Sequence, residues 1–213
     1  MVELVIFDAD GVLFDSSLSN TAYYNAIFAA MDEPPMSGEE EKAGVYLAAP
    51  QIFEMRAGAD LVRLQRMRDI ARTLDATPFF KMMIPALELR PFMTELKRNY
   101  RLGLATNRSA TIPSLIDFLG LNGIFDAVAS ARDKVKPKPA PDIVKLCVER
   151  AGAHPERAVY VGDSATDKIA ADGAGTHYVG LGDRSGRERG HTHRIDTLAE
   201  LPERLEKLFK KAS

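Results

Sequence analysis

The 213-residue chain carries 30 acidic and 28 basic side chains, four His, one Cys and no Trp, which leaves room for one large domain or one domain with a smaller insertion, and a core that needs no disulfide. A formal net charge of −2 provides no global field for nucleic acid or an anionic membrane, Cys147 has no internal partner, and no apolar run reaches the roughly 18 residues of a membrane helix. With a start, Met-Val-Glu-Leu, that lacks the basic beginning of a signal peptide, these features predict a cytoplasmic globular protein that binds neither nucleic acid nor membrane.

Val2 to Phe7 is an apolar, β-branched run stopped abruptly by Asp8-Ala9-Asp10-Gly11, the profile of a buried parallel strand. From Ser16 to about Leu89 no convincing strand follows. Helices are predicted there over Ser19–Met31, Ser37–Ala48 and Asp60–Leu74, the second opened by a capping box, Ser37-Gly38-Glu39-Glu40. A helical segment this long between consecutive strands suggests a small second domain. Seven of the eight Met residues fall between Met31 and Met93, as flexible filler of a helical core or as an adaptable substrate surface. Beyond it, strands at Leu102–Thr106, Phe125–Ala129, Ala158–Gly162 and His177–Leu181 alternate with helices at Ile112–Leu119, Pro141–Ala151 and Thr166–Ala174. This alternation predicts an α/β, Rossmann-like doubly wound parallel sheet with an inserted all-helical cap. The expected boundaries are a core of residues 1–15 and 90–213 and a cap of residues 16–89. In such sheets the ligand lies beyond the carboxyl ends of the strands.

Four polar clusters end or follow these strands. Asp8 and Asp10 project to one side of an extended chain, and carboxylates at a buried strand end are costly without a cation or hydrogen bonds. Thr106-Asn107-Arg108-Ser109 offers a hydroxyl and backbone amides to an anion, or a cap from Asn107 or Ser109 for the next helix. In Lys136-Pro137-Lys138-Pro139-Ala140-Pro141 the prolines hold the chain extended and stiff and present a Lys at a defined place. Asp163 ends the Ala158–Gly162 strand and Asp167 follows one helical turn later, on a common side or as a partner of the helix dipole. Carboxylates supply the hard oxygens magnesium takes, and Lys with backbone amides neutralises phosphate charge. Phosphoryl transfer, where catalysis is mostly positioning and charge stabilisation, needs such a set.

With these motifs in order over about Val2 to Leu181, the sequence resembles the haloacid dehalogenase-like phosphatase superfamily, in the branch with a helical cap inserted after the first strand. The resemblance implies a magnesium-dependent phosphoric monoester hydrolase of a small phosphorylated metabolite, monomeric or homodimeric. It implies Asp8 as the nucleophile that forms an aspartyl-phosphate, and Asp10 as the acid and base. Thr106 and the Asn107 amide would hold the phosphoryl group, and Lys138 would stabilise nucleophile and phosphate, with Lys136 as its competitor. Asp163 would ligate magnesium with Asp8 and the Asp10 carbonyl, and Asp167 would be a further or outer acid.

Departures narrow the reaction. Halide-removing and phosphonate-cleaving members lack the second Asp that Asp10 supplies, and the only Lys residues of the insertion, Lys42 and Lys81, lie too late for the phosphonate chemistry. Phosphomutases of the branch place a His where this chain has Asn20, and no His precedes His154. Hydrolysis is therefore expected ahead of mutase chemistry; the alternatives to a small-ester phosphatase are a sugar phosphomutase, a pyrophosphatase or nucleotidase of the same superfamily, or a non-catalytic binding module on this fold. Tyr23, Tyr24, Tyr46, Gln51, Arg56 and Arg63 are candidates to face the substrate from the insertion. Asp183 to Arg194, with His191-Thr192-His193, reads as a solvated loop.

Overall fold

Leu4, Val5, Ile6 and Phe7 are all fully buried, yet they serve two different layers. Val5 and Phe7 pack into one apolar cluster with Met93, Ile112, Leu115 and Leu201, whereas Leu4 and Ile6 pack into another with Val144, Cys147 and Ala170. Side chains alternate along a strand, so apolar residues at every position require a layer on each face of the sheet. The computed structural model, which describes residues 2–44, 47, 49–109, 111–182 and 193–209, has this arrangement.

The chain begins with β1 (Leu4–Phe7) and the short β2 (Phe14–Asp15). It then runs through α1 (Ser17–Ala29), α2 (Gly38–Gly44), α3 (Ala49–Ala57), α4 (Leu61–Thr73) and α5 (Thr77–Phe80) before β3 (Ile84–Pro85) and α6 (Leu89–Leu96). Strands and helices alternate thereafter: β4 (Arg101–Thr106), α7 (Ile112–Phe118), β5 (Ala127–Ser130), α8 (Asp142–Arg150), β6 (Ala158–Gly162), α9 (Ala165–Ala174), β7 (His177–Leu181), β8 (Arg194–Ile195) and α10 (Leu201–Phe209). Among the described residues the main sheet runs β5-β4-β1-β6-β7-β8, all parallel. The order turns back on itself at β1, between β4 and β6, and a crevice opens beyond the carboxyl ends at such a switch point. Phe7 pairs with Leu104 on one side and Val161 on the other, so the polar residues after β1, β4 and β6 emerge at one edge.

The predicted doubly wound sheet is thus observed, and no helix among the described residues is long and apolar enough to cross a membrane. Three expectations need correction. The segment after Ser16 does contain a strand: β3 pairs antiparallel with β2, and Ala86 N donates to Leu13 O at 2.9 Å. Two residues per strand are too few to show a period, but they tie together the exit and return of the helical segment. Of the helix predicted over Ser37–Ala48 the structure describes α2 over Gly38–Gly44, with Leu47 outside it and α3 starting at Ala49; Val45, Tyr46 and Ala48 lie outside the described residues. Finally, Pro137 to Ala140 turns back instead of running extended: Ala140 N donates to Pro137 O at 3.0 Å, and the Lys138–Pro139 peptide is cis.

The helices between β2 and β3 have an apolar cluster of their own, built on Ile27, Phe28, Ile52, Phe53 and Met67. The expected capping box is present, with Ser37 N donating to Glu40 Oε2 at 2.8 Å and Glu40 N to Ser37 Oγ at 3.2 Å. Met36 and Met67 fill this cluster and Met83 and Met93 the sheet-side core, so filler is the reading that holds for them.

Candidate active site

Beyond Phe7 the backbone closes a tight turn in which Leu13 N donates to Ala9 O and Gly11 N to Phe14 O, both at 2.9 Å. Gly11 has φ +77, and a Cβ there would stand 2.0 Å from Asp163 Oδ2. Only glycine allows both the backbone and the approach, and the consequence is that the turn bearing Asp8 and Asp10 presses directly on the end of β6. One carboxylate oxygen from each of Asp8, Asp163 and Asp167 lies within 4.8 Å of the others.

Lys138 reaches into this group from the loop before α8. Its ammonium donates to Asp167 Oδ1 at 2.6 Å and Tyr160 Oη at 2.7 Å, and pairs with Asp8 Oδ1 at 2.8 Å. All three protons are used. The Lys backbone is held as firmly, because the Asn107 side chain accepts from Lys138 N at 2.8 Å and donates to Lys138 O at 3.1 Å. Asn107 is thereby taken up in joining two loops, and α7 begins only after Thr111, which makes no side-chain cap. The alternative of Asn107 or Ser109 as the cap of that helix is set aside. Asp167 caps α9 reciprocally with Ser164, so its second oxygen is occupied too. Lys136 is exposed and is not among the residues lining the cavity described below.

Asp10 has different company. Arg108 grips it with Nε to Oδ2 at 2.7 Å and Nη2 to Oδ1 at 2.6 Å, and Ser16 Oγ donates to Oδ1. Arg108 also donates to Asn20 Oδ1 at 3.0 Å, and Asn20 donates back to Ser16 at 3.2 Å. Thr106, fully buried, accepts from Arg108 N at 3.2 Å.

Charge follows these contacts. Burial pushes the Asp8 carboxyl up to about 8; Lys138 opposes the rise, and the negative charges of Asp167 and Asp10 add to it. Burial acts on Asp10 in the same direction, but the Arg108 guanidinium outweighs it and holds that carboxyl below its usual value. Burial would lower the Lys138 ammonium, yet Asp167 and Asp8 keep it above the ordinary lysine value. Two neighbouring acids therefore have opposite tendencies, a pattern common where proton transfer and nucleophilic attack are divided between two groups. The three converging carboxylates form a hard, oxygen-rich donor set that fits a divalent cation.

All the residues singled out from the sequence as catalytic or ligating line one cavity of about 320 Å³: Asp8, Asp10, Thr106 and Asn107 together with Lys138, Asp163 and Asp167. The helical segment supplies the facing wall. Tyr23 and Tyr24 line it as anticipated, whereas Gln51, Arg56 and Arg63 do not, and Tyr46 and residues 183–192 fall outside the described residues. Arg56 lies over the Phe28 ring and forms an ion pair with Glu40, and Arg63 is engaged by Glu33. Lys42 and Lys81 are exposed. Sequence reasoning missed Arg108 and the aromatic wall of Phe53, Phe79 and Phe80. The one signal for Arg108 was its place directly after Thr106-Asn107 at a strand end.

The profile of the haloacid dehalogenase-like hydrolases matches residues 5–181. A phosphoglycolate phosphatase of Xylella fastidiosa is 30% identical over 215 aligned positions, covering 94% of this chain and 90% of its own. The pyrophosphatase PpaX of Bacillus velezensis is 26% identical over 182, covering 84% and 83%. Among solved structures, CbbY of Rhodobacter sphaeroides in complex with phosphate superposes with a TM-score of 0.77 at 25% identity, covering 94% of this chain and 96% of its own. A subfamily IA hydrolase of Geobacter sulfurreducens does so with 0.73 at 26%, covering 95% of each.

Proposed function

The chain belongs to the haloacid dehalogenase-like hydrolases, and we propose that it is a magnesium-dependent phosphatase that hydrolyses a small phosphate monoester through an aspartyl-phosphate on Asp8. The observation that carries this reading is the contact of Asp8 with Lys138 inside a cavity that also holds Asp163, Asp10 and Thr106. The names of the relatives, phosphoglycolate phosphatase and pyrophosphatase, are consistent with phosphoryl chemistry.

In this reading an Asp8 oxygen attacks phosphorus while the bond from phosphorus to the ester oxygen breaks, and Asp10 delivers a proton to the departing oxygen. Asp10 then takes a proton from the water that attacks the aspartyl-phosphate, releasing phosphate and restoring Asp8. Lys138 neutralises charge on Asp8 and on the phosphoryl oxygens, and Thr106 with the Asn107 amide orients them. Asp8, Asp163 and the Asp10 carbonyl would hold magnesium, with Asp167 turned chiefly to Lys138. When bound, magnesium supplies charge neutralisation at the phosphoryl oxygens. Arg108 keeps Asp10 in its base form, the form the second half-reaction uses, so the first half-reaction requires Arg108 to loosen its grip.

We assign residues 16–89 the role of a cap over the core of residues 1–15 and 90–213, which restricts the substrate to a small molecule. Hydrolysis is preferred to mutase chemistry because Asn20, bonded to Arg108 and Ser16, carries no proton to exchange at neutral pH. The test is phosphate release from a panel of small esters with magnesium, with a chelator, and with Asp8→Asn. Magnesium-dependent turnover abolished in the variant is expected; full activity in Asp8→Asn would overturn the mechanism.

A further inference from the structure

We infer that the ester this site takes is that of a neutral, largely apolar or aromatic alcohol, without a second anionic group; the inference rests on the phosphatase reading above. The wall facing the acidic cluster is a continuous run of rings. Phe79 meets Tyr23 edge-on at 5.6 Å, Tyr23 meets Tyr24 at 5.8 Å, and Tyr24 meets Phe53 at 6.0 Å. Tyr24 and Phe53 are buried in the helical cluster, which anchors the run. Tyr23 and Phe79 are only half-buried and line the cavity. The Tyr23 hydroxyl donates to Ala71 O at 3.2 Å, so its proton is engaged and the ring offers an apolar face to a ligand. Rings that already meet edge-on offer further edge and face contacts to a planar or branched apolar group, and a cavity of about 320 Å³ is of ligand-binding size.

The cations of the same cavity are spoken for. Arg68 pairs with Glu54 at 3.1 Å and Arg72 with Asp69 at 2.7 Å. Lys138 serves Asp8 and Asp167, and Arg108 is held by Asp10 on two bonds and by Asn20 on a third. A carboxylate or second phosphate on the leaving group would have to be buried against aromatic rings, draw Arg108 from Asp10, or turn outward to Arg68 and Arg72, whose exposed, solvated charges give an anion little. The first leaves a charge without a partner, and the second takes from the partly exposed Asp10 the cation that keeps it ionised for the second half-reaction. An uncharged apolar alcohol does neither.

The experiment compares kcat/KM of the magnesium-loaded full chain on three probes, 2-phenylethyl phosphate, 2-phosphoglycolate and inorganic pyrophosphate, in the wild type and in Phe79→Ala. The expected result is a preference of about tenfold or more for the phenylethyl ester, the scale of discrimination apolar pocket contacts provide. Phe79→Ala should shrink that preference several-fold, and because the ratio is taken within one variant, loss of folded protein cancels. Equal or better turnover of phosphoglycolate or pyrophosphate by the wild type would overturn the inference while leaving the phosphatase reading intact. Turnover of none of the probes, or of the wider ester panel, would remove the phosphatase reading and this inference with it. A preference unchanged in Phe79→Ala would also count against the aromatic wall as its source.

Discussion

Arg108 and Asp10, 98 residues apart in sequence, form a bidentate pair at 2.6 and 2.7 Å. The pair sets the protonation tendency of the acid two residues after Asp8. Arg108 holds the Asp10 carboxyl below its usual value against the opposing effect of burial. Such a carboxylate contributes stability above the unfolded value of 3.8 and loses it as pH falls through its lower folded value. In Arg108→Gln the acid should titrate higher, and the acidic limb of the kcat profile should move upward by about one pH unit or more. A pH–rate series on wild type and variant measures this; an unmoved limb would show that Arg108 does not govern Asp10.

Lys138 is buried with Asp8 and Asp167 around it, whereas Lys136, two residues earlier, is exposed. Lys138→Met leaves two buried carboxylates facing each other without their cation. Removing one partner of a buried ion pair costs about 3 kcal/mol or more, and losing a preorganised charge at the reacting group costs about 10²–10³-fold in kcat. Lys136→Met should stay within about 0.5 kcal/mol of wild type, as for surface positions generally. Urea unfolding and turnover of both variants separate the two lysines; similar losses at Lys136 would reverse the assignment.

Gly11 is where the turn after β1 touches Asp163. An alanine there adopts a left-handed backbone, which costs roughly 1–2 kcal/mol, and drives its methyl onto a carboxylate oxygen that lies 2.0 Å away. Gly11→Ala should lower the melting temperature and, by displacing Asp163, weaken magnesium binding by about 10–100-fold, as displaced supporting contacts do at metal sites. Thermal melts over a magnesium titration give both numbers. Unchanged magnesium affinity would separate Asp163 from the metal.

In the proposed mechanism Asp8 carries the pH dependence of metal binding. Its folded carboxyl is raised from 3.8 to about 8 by burial, so without a cation its contribution to stability is present below the unfolded value and lost as pH rises toward 8. A divalent cation needs the ionised form and displaces the proton. The gain in melting temperature on adding magnesium should therefore grow between about pH 6 and about pH 8. A gain that is flat or falls across that range would show that Asp8 is not a ligand.

Much of the core was legible in the sequence because buried strands are short apolar runs with sharp ends. Ala158–Gly162 and His177–Leu181 begin and end where expected. The strand predicted from Phe125 begins at Ala127 instead; just before it Asp126 N donates to Leu102 O while the Asp126 carboxylate accepts from Leu102 N and Lys97. The acids were legible for the same reason as the strands, since a carboxylate closing a buried run needs a compensating partner. The cap was less so. Pro50, two residues past the helix predicted over Ser37–Ala48, stands in the first turn of a separate helix, α3, and β2 and β3 are too short to leave a pattern. Arg108 stayed hidden because an arginine in an Asn-Arg-Ser turn reads as solvated until the fold brings Asp10 to it.

The central claim is that Asp8 becomes phosphorylated during turnover. Acid quenching of the magnesium-loaded enzyme with a substrate found in the ester panel, borohydride trapping of any acyl phosphate and peptide mapping test it directly. The account predicts a trapped modification at Asp8 that is absent from Asp8→Asn and absent without substrate. A modification at any other residue, or phosphate release at full rate by Asp8→Asn, would contradict it.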